Sequence, residues 1–164
     1  MFKILTKGCE PTRNKRFSAG IDLYSSKDIV IGAGETAVIG LGVCIDTDEL
    51  NYTVDNYFLS QRKDVFKHRE KFLKSHYLEL HPQNSLMAKG LISNTGIIDL
   101  DYEDEIKIII HNSLKLKWWN EKNEDYLFPK VHSDTIYKIK KGDKVAQVLL
   151  KEHKGYLFEV ESDG

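Results

Sequence analysis

Short β-branched runs, cut by Gly, Asp or Asn every few residues, limit what this chain can fold into more than any other feature. Phe2-Lys3-Ile4-Leu5, Ile21-Asp22-Leu23-Tyr24, Asp28-Ile29-Val30-Ile31, Thr36-Ala37-Val38-Ile39 and Leu41-Gly42-Val43-Cys44-Ile45 come early. Glu105-Ile106-Lys107-Ile108-Ile109-Ile110 and Lys144-Val145-Ala146-Gln147-Val148-Leu149-Leu150 come late. Each run is strand-length and too short for a stable helix, and Gly32-Ala33-Gly34 breaks the series as a turn. This rhythm predicts an all-β sandwich or barrel rather than βαβ units. With 164 residues, one domain with one sizeable core, 1–164, is expected.

Two stretches depart from that rhythm. From Asp55 to Lys74 the pairs Phe58-Leu59, Val65-Phe66 and Phe72-Leu73 recur at close to two helical turns, with Arg62, Lys63, Lys67, Arg69 and Lys71 between them. That spacing predicts an amphipathic helix with a basic outer face, inside an insertion at about 47–76. The second insertion, 114–134, is rich in charge and carries Trp118-Trp119; it reads as a long hairpin or loop between core strands.

Composition excludes several classes. The formal net charge of −1 argues against a nucleic-acid partner, so any anion site must be local. No apolar run is long enough to span a membrane, and no leader is expected. Cys9 and Cys44 form no CxxC pair, which suits buried thiols in a reducing cytoplasm. The abundance of Lys, Asn and Ile points to an AT-rich coding genome, as in many viruses. His68, His76 and His81 have no HxH or HxxxH spacing and no neighbouring cysteine, so no protein-held metal is expected.

Four segments could carry chemistry. Ser18-Ala19-Gly20-Ile21-Asp22-Leu23 is a small-residue turn delivering an acid into a strand. His81-Pro82-Gln83-Asn84-Ser85-Leu86-Met87-Ala88-Lys89-Gly90 sets Asn and Ser before a helix-capable run. Its N–H groups suit either a phosphate or an ordinary N-cap by Asn84 or Ser85. Asn94-Thr95-Gly96-Ile97-Ile98-Asp99-Leu100-Asp101-Tyr102 combines a turn, a possible general base in Asp99 and a ring in Tyr102 able to stack on a planar group. Lys141-Gly142-Asp143-Lys144-Val145-Ala146-Gln147 starts a strand that shows a Gln on one face. Alone, each also reads as a plain turn or hairpin with solvated acids.

Taken in this order, the segments resemble the dUTPase family. Ser18–Leu23 is similar to its AGxDL motif, Gly96–Tyr102 to GxIDxxY and Gly142–Gln147 to GDRIAQ. The resemblance implies a β-barrel-like jelly roll with a helical insertion, forming a homotrimer whose sites lie between subunits. It implies hydrolysis of dUTP to dUMP and pyrophosphate, with Mg²⁺ held mainly by the triphosphate. Asp99 matches the acid that activates water, and Tyr102 the ring that covers deoxyribose. Asn94, with the backbone through Ile97 and Lys107, would line the uracil pocket. Gln147 falls on the phosphate side, and Asp22 supports the site.

The chain also departs from the family. Pro82-Gln83-Asn84-Ser85 stands where Pro-Arg-Ser-Gly is usual; Gln83 lacks the forked cation of Arg, and Asn84 or Ser85 must serve near the phosphates. Glu103-Asp104 replaces Arg-Gly after Tyr102. The Gly-rich C-terminal arm with its Arg and Phe is not found before the acidic end Glu159–Gly164. The cations of the first insertion are then either a solvated face or an electrostatic lid replacing that arm. Two alternatives stay open: a non-catalytic interaction or regulatory protein on the same fold, and a related dCTP deaminase-type enzyme.

Overall fold

The computed structural model describes residues 1–115, 135–158 and 160. Eleven strands and three helices follow one another in this order: β1 (Phe2–Ile4), β2 (Ile21–Tyr24), β3 (Ile29–Ile31), β4 (Thr36–Gly40), β5 (Val43–Ile45), α1 (Thr47–Ser60), α2 (Val65–Ser75), β6 (His76–Pro82), α3 (Asn84–Ala88), β7 (Leu91–Ile92), β8 (Gly96–Asp99), β9 (Lys107–Asn112), β10 (Tyr137–Ile139) and β11 (Lys144–Glu152). A 3-10 turn, Gly155–Leu157, follows β11. All pairings are antiparallel: a four-stranded sheet β2-β11-β6-β8, a three-stranded sheet β4-β9-β7, and the pairs β1-β5 and β3-β10.

The alternation of each run decides which way it faces. Leu78, Leu80, Ile98, Val148 and Leu23 point inward from the first sheet; Ile39, Ile108, Ile110 and Leu91 meet them from the second. Val43, Ile45, Ile31 and Ile139 from the paired strands complete one buried cluster. The expected strands are therefore present, with ends shifted by a residue or two. Four strands lie outside the expected runs: β6, β7, β8 and β10. Tyr77-Leu78-Glu79-Leu80-His81 has period two, and as β6 it is central to the four-stranded sheet.

The insertion is not the single helix expected over Asp55–Lys74. It is an antiparallel pair, α1 and α2, broken at Gln61–Asp64. Arg62 takes a left-handed φ of 56°, and Asp64 caps α2 by accepting from the Lys67 N–H at 3.3 Å. Asp46 caps α1 in the same way through Glu49, at 3.0 Å. The heptad spacing arises because Phe58, near the end of α1, meets Phe72 of α2 edge-on, ring centres 6.3 Å apart. Leu59 and Phe66, the other halves of their pairs, stay exposed.

Arg69 clasps the pair through a forked bond to Asp55, its Nε donating at 2.7 Å. The bond from Arg69 holds the Asp55 carboxyl below the usual carboxylate range. A lowered folded value means this stabilisation is complete above the unfolded Asp range and fades as pH falls through the folded value. Hydrogen exchange of 47–75 should therefore lose protection below about pH 4, with Asp55→Asn weakening protection at neutral pH and removing the acid step. A wild-type profile flat in acid would show that the clasp does not hold the hairpin.

The second expected insertion, 114–134, lies from residue 116 onward outside the described residues, and Trp118-Trp119 with it, as do Glu159, Glu161 and Asp163.

Candidate functional site

The Gly96–Tyr102 segment is shaped by two local features. Gly96 lies against Leu80, where an added Cβ would come within 3.2 Å of the Leu80 Cβ, so a larger residue would make Leu80 give by a few tenths of an ångström. At the other end the Tyr102 N–H donates to the Asp99 carbonyl at 3.1 Å, closing a turn that sets Asp99 and Tyr102 side by side. Asp99, Tyr102, Ile97 and Lys107 all line one cleft of about 260 Å³, with Ile106 and Gly96 in its floor. Asn94 lines an adjoining cavity of similar size with Ser93, Thr95 and Lys107. Five of the expected residues are thus brought together.

The cleft opens between two sheets rather than within one hairpin. β8 and β9 belong to different sheets and splay apart. β8 pairs with β6 alone, while β9 pairs with β4 along its length and with β7 only at His111 and Asn112. Among the described residues, then, the facing edges of β8 and of Lys107–Ile110 have no strand partner. Unpaired backbone N–H and C=O groups need hydrogen bonds. Here they border a cavity, where a planar base can supply those bonds.

A second group forms elsewhere. Gln147 of β11 lies between Asp22 of β2 and His81 of β6 in the cross-strand register. Its amide oxygen would be 2.6 Å from a Cβ at Gly20, so this side chain folds over the glycine backbone and would have to swing aside for a larger residue there. Asp22 is buried and takes the Lys144 ammonium at 2.8 Å. That bond holds the lysine above its usual range. Lys144 is therefore tied down to support Asp22. Gly142, at φ 84°, and Asp143 dock on the Ser25 backbone, which explains the Gly-Asp turn of that segment.

Beside Gln147, the Ala146–Pro82 pair leads into α3. Gln83 is the N-cap, without a side-chain bond, rather than Asn84 or Ser85. The side chains of Asn84 and Ser85 are exposed in the first turn.

The two groups do not meet within one chain. In the shared sheet Asp99 pairs with Tyr77, whereas Gln147 pairs with His81, four residues along β6 and on its other side. Strand rise and spacing put them roughly 16 Å apart. Between them lies a network that the sequence did not flag: the Tyr77 hydroxyl donates to Glu79 at 2.8 Å, and His81 Nε2 lies 2.6 Å from its other oxygen. Those bonds, from Tyr77 first, hold the Glu79 carboxyl low. Its signal was the alternation of polar residues at 77, 79 and 81.

A larger cavity, about 470 Å³, opens on the other side of Asp99, lined by Asp101, Leu100, His76, His153 and the α1–α2 residues Thr47, Leu50, Glu70, Leu73 and Lys74. The first insertion, expected to present either a solvated face or a lid, thus lines a cavity that Asp99 also lines.

No family model matches the chain. It is similar to the deoxyuridine 5'-triphosphate nucleotidohydrolases of Candida glabrata, 29% identical over 146 residues, and of Saccharomyces cerevisiae, 28% over 143. These alignments cover 88% and 87% of this chain and 71% and 67% of those relatives. The chain spans 64% of the corresponding Eremothecium gossypii protein. Among solved structures, the dUTPase of Staphylococcus aureus phage phi11 matches with a TM-score of 0.66 at 19% identity, over all of this chain and 96% of that one. The Staphylococcus bacteriophage 80alpha dUTPase matches with a TM-score of 0.65 at 21% identity, with the same coverage. The fold is the jelly roll of those proteins.

Proposed function

We propose that this chain, a member of the dUTPase family, hydrolyses dUTP to dUMP and pyrophosphate at sites shared between copies of itself. The observation that carries this is the β8–β9 cleft, where Asp99, Tyr102 and two unpaired backbone edges surround one cavity. Uracil would enter between the edges, its carbonyl and N–H groups meeting backbone partners, with Asn94, Ile97 and Lys107 around it. A site built from such polar groups rejects a base whose donors and acceptors are misplaced more strongly than apolar contact could. Tyr102 would lie against the sugar, leaving no room for a 2′-hydroxyl.

The reaction is in-line attack of water on the phosphorus nearest the sugar. Asp99 orients the water and accepts its proton as the new O–P bond forms; the bond to the bridging oxygen breaks, and pyrophosphate leaves. No covalent enzyme intermediate is needed, so the protein contributes positioning and charge. Among the described residues no cluster of three His, Cys, Asp or Glu side chains is placed to hold a metal ion. Mg²⁺ would arrive on the triphosphate, whose charge it would partly neutralise, with Asp99 the described carboxylate that faces the reacting phosphate.

The separation of Asp99 from Gln147 supports shared sites. In that arrangement Gln147, Asn84 and Ser85 of one copy, with Gln83 beside them and Asp22 beneath, would face the phosphates of a nucleotide seated on Asp99 of another. A homotrimer closes such a head-to-tail contact. Light scattering should then give three times the 18.9 kDa of one chain. A monomer at micromolar concentration would leave both half-sites incomplete and remove the model. The cytoplasm is the proposed location, in keeping with free, buried Cys9 and Cys44.

The deciding assay is pyrophosphate release from dUTP with Mg²⁺, run beside UTP, dCTP and dTTP. Selective release from dUTP is expected. Ammonia release from dCTP, or no turnover of any of the four, would overturn the reading.

A further inference from the structure

The cavity of about 470 Å³ beside Asp99 continues into another of about 250 Å³, the two sharing Glu70 and Lys74. The second is lined by Lys67, Lys71 and Tyr156 as well. Lys67, Lys71 and Lys74 are four and three residues apart, so they stand on one side of α2. They span about 10 Å along the helix axis. One trough therefore runs from Asp99 past Lys74 to Lys71 and Lys67, with Tyr156 of the 3-10 turn on its far wall.

The basic face of the insertion is not uniform in what it can do. Arg69 is committed to Asp55, and Arg62 and Lys63 sit at the turn between the helices and line neither cavity. Among the described residues Lys74 bonds only Glu70, at 2.6 Å, and both side chains are more than half exposed. Such pairs are weak, so Lys74 can exchange Glu70 for a stronger acceptor. The helix that carries the lysines is firmly seated. The Ser75 carbonyl accepts from the His153 N–H at 2.7 Å, and the Phe72 ring stacks on His76 with centres 4.0 Å apart. A row of ammonium groups on a firmly seated helix, leading away from the Asp99 carboxylate, suits the remainder of a phosphate chain whose first phosphorus lies at Asp99.

We propose that Lys74, backed by Lys71 and Lys67, binds the outer phosphates of the nucleotide whose reacting phosphorus lies at Asp99. The inference rests on the dUTP reading above and adds the inserted helix to the substrate site. Glu70 lies in the same trough with the opposite charge, so it opposes the substrate and competes for Lys74.

The test uses the full chain, titrated with Mg²⁺ and either a non-hydrolysable imido analogue of dUTP or dUMP, alongside steady-state turnover. Lys67→Gln/Lys71→Gln/Lys74→Gln should weaken analogue binding and raise KM by about ten-fold or more, with a flatter salt dependence. dUMP, which has no outer phosphates, should bind as before. Glu70→Gln should tighten analogue binding, Lys74→Arg should largely preserve it, and Arg62→Gln/Lys63→Gln should leave it unchanged. Unchanged analogue affinity in the triple variant would overturn the proposal, as would equal losses for analogue and dUMP, or weakened binding in Glu70→Gln. If the wild-type chain neither binds nor turns over dUTP, the functional reading fails on its own. Inorganic pyrophosphate then becomes the probe: binding lost in the triple variant upholds the trough as a condensed-phosphate site, and no binding to the wild type removes it.

Discussion

Asp99→Asn should give a folded protein that still binds dUTP but hydrolyses it roughly 10² to 10⁴ times more slowly, the usual contribution of a positioned general base. The structure separates the fold from the chemistry at this residue. Asp99 is exposed at the end of β8, and the turn to Tyr102 is closed by the Asp99 backbone carbonyl rather than its carboxylate. The carboxylate has no ion pair or hydrogen bond among the described residues, so nothing in the fold depends on its charge. Exposed substitutions of this kind usually change stability by less than about 0.5 kcal/mol. Asparagine keeps the size and can still hold a water, but it cannot take the water's proton. Thermal melting and analogue titration should therefore match wild type while pyrophosphate release collapses in single turnover. A variant with near-normal release would remove Asp99 from the mechanism.

What could be read from the sequence was local. Gly96–Tyr102 lies within one turn and strand end, so its residues meet because they are consecutive. Ile21–Tyr24 and Thr36–Ile39 became strands because their β-branched character and alternation need no distant information. The helical break at Gln61–Asp64 was not visible, since it contains neither Gly nor Pro and is made by Arg62 accepting a left-handed conformation. β6 was hidden by the neighbouring aromatic heptad, which drew residues up to Lys74 into one helix. The gap between Asp99 and Gln147 is a matter of register, set when β6 slides between β8 and β11 with His81 against Gln147. Nothing in either segment encodes that alignment. The same holds for the trough under α2, which exists because the 3-10 turn after β11 returns beside the inserted helix.

Asn112 shows the cost of what local reading misses. It stands two residues past the apolar run that ends at Ile110, where nothing in the run marks it, yet it is fully buried and acts as a clasp. Its amide Nδ2 donates to the Ile31 and Thr135 carbonyls, both at 2.9 Å, and its Oδ1 accepts from the Leu114 N–H at 3.1 Å. The backbone of Asn112 is bound as well, its N–H to the Glu35 carbonyl at 2.9 Å and its carbonyl to the Gly34 N–H at 2.8 Å. One side chain thus joins the point where the chain leaves β9, the point where it returns at Thr135, and the end of β3. An apolar residue of this volume makes none of these three bonds. Asn112→Ala deletes all three side-chain bonds at once and should cost about 3 kcal/mol, since each such bond contributes on the order of 1 kcal/mol. For a chain of this length that lowers Tm by roughly 6 to 12 °C. Asn112→Asp should be at least as damaging, because a carboxylate facing two buried carbonyls repels them where the amide donated. Ser113→Ala, one residue on and exposed, removes a single bond to the Gly90 carbonyl and should shift Tm far less. Calorimetric melts of the three variants decide the matter. If Asn112→Ala melts within a degree or two of wild type, Leu114 and Thr135 are held by something other than this amide.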